Sequence, residues 1–159
     1  MKRTAIAVLL ILIFLVVVVG YYVFQPRNSA RIMIDGVVLN VDLATTQAEQ
    51  EKGLSGRASM PPDHGMLFIF QNEDYWSFWM YEMKFPLDMI WFNSSRQAVF
   101  FEQSLPPCSP VVCPVFTPSS KAMYVLEVNA GFVAAHKISL SDMFTFVVFT
   151  SPMGVGSGI

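Results

Sequence analysis

At 159 residues the chain has room for one domain of ordinary size. It is 53% apolar and 14% charged, with a formal net charge of -2. That composition excludes intrinsic disorder, a polytopic membrane protein and a basic nucleic-acid binder.

The averages join two unlike parts. From Ala5 to Phe24 every residue except Gly20 is apolar. Twenty helical residues rise about 30 Å, the thickness of a bilayer's hydrocarbon core, so residues 5–24 are expected to form a single transmembrane signal anchor. Tyr21 and Tyr22 stand where interfacial aromatics belong. A cleaved secretory signal is the alternative. The run is longer than the usual ~7–15-residue signal core, and no small-x-small site follows it directly. Lys2 and Arg3 with the amino group slightly outweigh Arg27 and Arg31, which favours a cytoplasmic N-tail (residues 1–4) and an extracytoplasmic domain. From Ile32 onward the chain carries 6 basic against 12 acidic residues, a net charge of -6.

Residues 25–31 read as a linker, 32–150 as one globular domain and 151–159, with three glycines and a proline, as a flexible tail. Ile32 to Leu43 alternates around Asp35-Gly36, a hairpin signal. Thr46 with Glu49 makes a capping-box pattern for a helix of about two turns, ended by Gly53. Strands are expected at 66–70, 77–83, 87–92, 98–102, 122–128 and 143–149, with a hairpin loop at 93–97 and a short helix or turn at 131–136. The fold class is therefore α+β, mainly β: a barrel-like domain with one or two short helices behind a transmembrane helix.

Cys108 and Cys113, set among prolines, are the only cysteines. In an exported domain such a pair reads first as a disulfide. A metal site would need two further ligands, and redox-active thiols are the remaining reading.

Twelve of the 34 residues from Phe68 to Phe101 are aromatic, including all three tryptophans. Strand alternation puts Trp76, Phe78 and Met80 on one face and Trp79 and Tyr81 on the other. One face is core; the second offers a stacking platform, so Trp76, Trp79, Tyr81 and Trp91 are the candidate ligand-binding residues. Core filler is the competing role for all of them. Charges embedded in apolar runs are fewer. Asp88 opens Leu87–Phe92, Glu127 lies within Tyr124–Val128, and Arg57 follows the first helix. They read either as a polar core network or as a site in which Asp88 and Glu127 serve as general acid and base. Met60, His64, Met66, Met80 and Met83 could bind Cu(I), although methionine more often fills cores. No nucleophile, phosphate-loop or metalloprotease motif is present, and no cofactor or resident metal is expected.

The order Thr46-x2-Glu49-x3-Gly53-Leu54-Ser55-Gly56-Arg57, Gly65 to Phe70, Ser77-Phe78-Trp79-Met80, Pro86-Leu87-Asp88, Pro107-Cys108, Cys113-Pro114, Tyr124 to Glu127 and Gly131 resembles domain-of-unknown-function family 192. The resemblance runs from about Ile32 to Val148 and implies a compact, mostly β domain, commonly exported in bacteria and archaea. It brings no activity with it. Arg57, Asp88 and Glu127 match the family pattern, whereas Tyr81-Glu82-Met83 replaces a more polar stretch and His136 to Asp142 departs from a His-Gly…Gly-Asp pattern. The leading functional expectation is a membrane-anchored binding or accessory module of the cell envelope, partnered by the bilayer and by an envelope polymer or protein, not by nucleic acid. A hydrolase using Asp88 and Glu127 is second, and a Cu(I)-binding protein third.

Overall fold

The computed structural model describes residues 11–17, 28–109 and 111–147; from residue 28 onward nine strands and two short helices follow one another. Strands β1 (Ser29–Ile34) and β2 (Val37–Ala44) form the expected antiparallel hairpin. Its turn works because Asp35 and Gly36 both take positive φ, 45° and 77°, as a two-residue hairpin loop of matching twist requires. Helix α1 (Gln47–Lys52) starts on a complete capping box: Thr46 accepts from the Glu49 amide while Glu49 accepts from the Thr46 amide. Gly53 ends it, as expected.

After α1 come β3 (His64–Asp74), β4 (Phe78–Trp79), β5 (Leu87–Phe92), β6 (Ala98–Leu105), β7 (Val115–Phe116), β8 (Ala122–Asn129), α2 (Phe132–His136) and β9 (Phe144–Phe146). Seven of the strands make one sheet in the order β6-β5-β8-β3-β2-β1-β9. All its pairings are antiparallel except β2 with β3, where α1 and its flanking turns supply the long crossover that a parallel pair needs. The sheet curls until its ends touch. The Ala98 amide donates to the Asp142 carbonyl (2.8 Å) and the Phe144 amide to the Arg96 carbonyl (3.1 Å).

Inside the curl, Ile32, Leu39, Leu67, Phe92, Leu126 and Phe144 pack against Phe132 and Val133 of α2. On the outer face Met66, Phe68, Met89, Trp91 and Val125 are covered by Leu54, Met60, Met80 and Met83 from the connecting segments. Strand β5 is consequently buried at all six positions, which explains its unbroken apolar run apart from Asp88.

The segment expected as a strand at 77–83 is reduced to Phe78–Trp79, which leaves the main sheet to pair with β7. Beyond it Tyr81 makes an isolated bridge to Cys108. The Cys108–Cys113 disulfide is formed, with Cα atoms 5.0 Å apart. The expected anchor at 5–24 lies mostly outside the described residues; its residues 11–17 are helical. Among the described residues no helix is long and apolar enough to cross a membrane. The expected N-tail at 1–4 and tail at 151–159 also lie outside them, and β1 begins at Ser29, inside the stretch read as linker.

Asp88 ties two irregular pieces to the sheet. One carboxylate oxygen accepts from the Ser104 amide (2.8 Å) and the other from the Val133 amide (2.9 Å). Ser104 has φ 54°, where β6 slips register against β5. Val133 lies in the first turn of α2, whose N-terminal Gly131 offers no side-chain cap. Replacing Asp88 by Ala orphans one buried and one partly buried amide, so Asp88→Ala should lower unfolding free energy by about 2–4 kcal/mol in urea titrations. Asp88→Asn, which keeps one acceptor, should lose roughly half as much. A loss below about 1 kcal/mol for the alanine variant would contradict this capping role.

Candidate functional site

Cross-strand pairing lays a row of side chains over the outer face of the sheet: Asp42 on β2, Met66 on β3, Glu127 on β8, Met89 on β5 and Glu102 on β6. Glu127 occupies the middle of the row on a central strand and is only 4% exposed. Its Oε2 is buried without a hydrogen-bond partner. Burial pushes this carboxyl up to about 8, and the positive charge of Arg57 offsets only part of that rise. An unpaired carboxylate in such surroundings is costly, so the group retains its proton instead.

Helix α1 ends directly above the acid. Gly53 has φ 47° and ψ -136°, and a Cβ placed there would lie 3.3 Å from the Phe68 ring and 4.0 Å from Glu127 Oε2. Glycine thus serves twice, taking a backbone geometry that L side chains rarely adopt and letting the helix end close down on the sheet. Gln50 secures α1 by donating to the Ile69 carbonyl (2.9 Å).

Between α1 and the β3–β4 arm opens a cleft of about 240 Å³ with Glu127 in its lining. Its aromatic wall comprises Phe68 and Phe70 of β3 with Trp76, Phe78 and Trp79 of the arm; Gln47, Gln50, Glu51 and Lys52 of α1 stand opposite. Trp76 stacks on Phe70 at 4.0 Å, with the ring planes 9° apart. Phe78 meets Phe68 edge-on at 4.8 Å. The arm is held by Trp91, whose indole N–H donates to the Trp76 carbonyl (2.8 Å). A second cleft shares Lys52, Gly53 and Ser55 with the first, and is lined further by Asn28, Asp42, Arg57 and Met66. There Arg57 Nη2 donates to Asp42 Oδ2 at 2.7 Å.

Each residue singled out in the sequence thus has a definite place. Glu127, Trp76 and Trp79 meet at the first cleft. Trp91 is fully buried beneath it, as a support of the arm rather than part of the wall. Tyr81 is partly exposed farther along, at the disulfide. Arg57 contacts neither Asp88 nor Glu127; its partner is Asp42. Asp88 and Glu127 sit on neighbouring strands, where Asp88 pairs with Val128 and Glu127 with Met89. That one-residue offset turns the two carboxylates to opposite faces of the sheet. Both Asp88 oxygens are already occupied by backbone amides. Met60, Met66, Met80 and Met83 belong to the apolar cluster of the outer face, and His64 bonds to Asp63 (2.8 Å). Sequence reasoning passed over Asp42, Lys52 and the polar face of α1. Gly53 carried a signal, but one that read only as a helix terminator.

The family model of DUF192, described as "Uncharacterized ACR", matches residues 30–146. The chain belongs to this family. Two solved structures share its fold. One is described as a putative transcription regulator from Sinorhizobium meliloti 1021, is 30% identical with a TM-score of 0.70, and the match covers 77% of this chain and 96% of that one. The other, a protein of unknown function from Novosphingobium aromaticivorans DSM 12444, is 27% identical with a TM-score of 0.69, covering 74% and 84%. No curated protein matches the chain.

Glu127 makes stability depend on pH with a definite sign. Between the ordinary value of 4.5 and about 8, the folded chain holds a proton that the unfolded chain has released. Its contribution to the folding constant therefore falls as pH rises through this window, by up to about tenfold per pH unit, and levels off above it. Urea titrations at pH 5, 6, 7 and 8 should show the wild type losing stability relative to Glu127→Gln at each step. Parallel curves for the two proteins would refute a protonated, buried Glu127.

Proposed function

We propose that this DUF192 chain is a ligand-binding module of the cell envelope, with the cleft beside Glu127 as its site. The observation that carries the proposal is the buried, unpartnered Glu127 oxygen at an aromatic-lined opening. Native proteins rarely leave a buried polar atom without a partner, and because Glu127 belongs to the lining of the cleft, a ligand entering there would lie beside the group that lacks one. The aromatic wall supplies apolar contact area at small cost in side-chain entropy. Asp88 is already used by the fold, which favours binding over two-carboxylate hydrolysis.

The envelope location rests on the 20-residue run from Ala5 to Phe24 and on the Cys108–Cys113 disulfide, a bond that persists in oxidising compartments. In this reading residues 5–24 anchor the chain, the N-terminus stays in the cytoplasm and the domain faces outward; secretion after signal cleavage is the alternative. The partner is then a soluble envelope metabolite, polymer fragment or protein. The net charge of -6 from Ile32 onward argues against nucleic acid. Alkaline phosphatase fused to the C-terminus should be active in intact cells and sediment with membranes. An inactive fusion would reverse the topology, and activity in the medium would establish cleavage.

Trp79 gives the sharpest test of the site because it is 58% exposed and lines the cleft. Ligands are sought by tryptophan fluorescence of the full-length protein against soluble envelope saccharides, peptides and amines. Trp79→Ala should leave unfolding free energy within about 0.5 kcal/mol of wild type, while weakening any binding found by tenfold or more, as loss of an interfacial tryptophan typically does. Equal losses of stability and binding would make Trp79 packing material.

A further inference from the structure

Resting on that binding reading, we propose that the cleft takes a small organic cation, an alkylammonium group seated against the Trp76–Phe78–Trp79 wall, with the Glu127 carboxylate as its counter-ion. An unpartnered carboxyl can meet a ligand in two ways: ionised it attracts a cation or donor, and protonated it donates to an acceptor. The wall decides between them. Ring faces carry negative potential, so they attract a cation and gain nothing from an acceptor or anion. Five aromatic residues and one buried acid therefore favour the same sign of ligand. The domain's net charge of -6 draws cations toward it as well.

Among the described residues, the two cations that line these clefts, Arg57 and Lys52, leave this position open. Arg57 is committed to Asp42 at 2.7 Å. Lys52 stands at the rim beside Glu51, so the mouth is close to neutral and the sign of the interior is set by Glu127 and the rings. Among the described residues, Glu49 in the neighbouring cleft and Glu102 at the far end of the cross-strand row are further charged groups on this side of the sheet, both acidic. On the same face β3 and β5 place Met66 and Met89 directly beside Glu127. The volume of about 240 Å³ falls below the ~300–1,000 Å³ of pockets that enclose drug-sized molecules, and suits a charged head whose remainder stays outside.

Binding is coupled to a proton. In the free protein Glu127 is protonated below about pH 8. A bound cation stabilises the carboxylate, so one proton leaves to solvent as one ammonium enters, and charge is conserved. The cation could come from a free amine or from a lipid headgroup. Asn28 lines the adjoining cleft only four residues after Phe24, and four extended residues span at most about 14 Å, which puts the bilayer interface proposed above within reach.

The test is calorimetric titration of the full-length protein in a polyoxyethylene detergent, which has neither amine nor sugar, with choline chloride, n-butylammonium and the neutral choline isostere 3,3-dimethylbutan-1-ol. For at least one cation, affinity should rise about tenfold from pH 6 to pH 7 and level off above pH 8, because the ionised fraction of Glu127 does so. Paired buffers of different ionisation enthalpy should show about one proton released per cation at pH 6–7. Glu127→Gln should weaken binding more than tenfold at pH 8.5 and abolish both the pH dependence and the proton release, while remaining folded by circular dichroism. Dihexanoylphosphatidylcholine binding tenfold tighter than choline would assign the cation to a lipid headgroup, and equal or weaker binding to a free amine. The inference is overturned if the neutral isostere binds as tightly as choline, if no proton is released, or if neither cation binds. If other solutes then still perturb the fluorescence in a Trp79-dependent way, the binding reading stands without the cation. If none does, both fall.

Discussion

Burial of the central strands on both faces is the constraint from which the rest follows. Because α2 fills the inside of the curl and the α1 and β4 segments cover the outside, a polar side chain on β5 or β8 points into an interior whichever way it faces. The two acids on these strands meet that condition in opposite ways. Asp88, facing inward, accepts two backbone amides and thereby fastens a register slip in β6 and the first turn of α2. Glu127, facing outward, has an oxygen without a partner and keeps its proton. A carboxylate with two amide donors is satisfied by the fold itself. One with none makes the fold less stable than a packed apolar residue would, a cost characteristic of functional positions.

Why the chain tolerates that cost is visible in the arrangement around Glu127. An arginine close enough to form an ion pair would neutralise it, yet Arg57 is turned to Asp42 and reaches Glu127 only through its field. Asp42 is two strands away in the same cross-strand row, so the sheet register supplies the competing carboxylate. A side chain on residue 53 would meet Phe68 and approach the acid; glycine there leaves the opening unfilled. Among the described residues, the buried oxygen is thus left without a hydrogen-bond partner.

Much of this was legible in the sequence where the physics is local. Asp35-Gly36 specifies its turn by backbone conformation, Thr46 and Glu49 cap each other across three residues, and Cys108 and Cys113 are close enough in the chain to pair. The charges embedded in apolar strands marked Asp88 and Glu127 as unusual. What could not be read was their relation. The 77–83 segment has strand alternation, but its membership of a separate two-stranded sheet depends on Val115–Phe116, some 35 residues later. Likewise, Asp42, the partner of Arg57, is set in the same row as Glu127 by the parallel β2–β3 register, a non-local pairing that no local pattern encodes.

The tryptophans show how the same composition divides into support and surface. Trp91 lies on a strand covered on both sides and spends its one polar group on the Trp76 carbonyl. Trp76 and Trp79 lie on the arm that this bond restrains, where a two-stranded sheet too small to bury both faces leaves Trp79 largely open. An aromatic wall built only from the arm would be mobile, since an isolated pair of short strands has little stability of its own. Anchored through Trp91 and stacked on Phe70, it is held in place by the fold itself. Under the proposed binding role, less ordering entropy would then be lost when a ligand enters. The aromatic excess between Phe68 and Phe101 is thus one construction in two layers: a buried layer that sets the position of the wall, and an outer layer that faces the cleft.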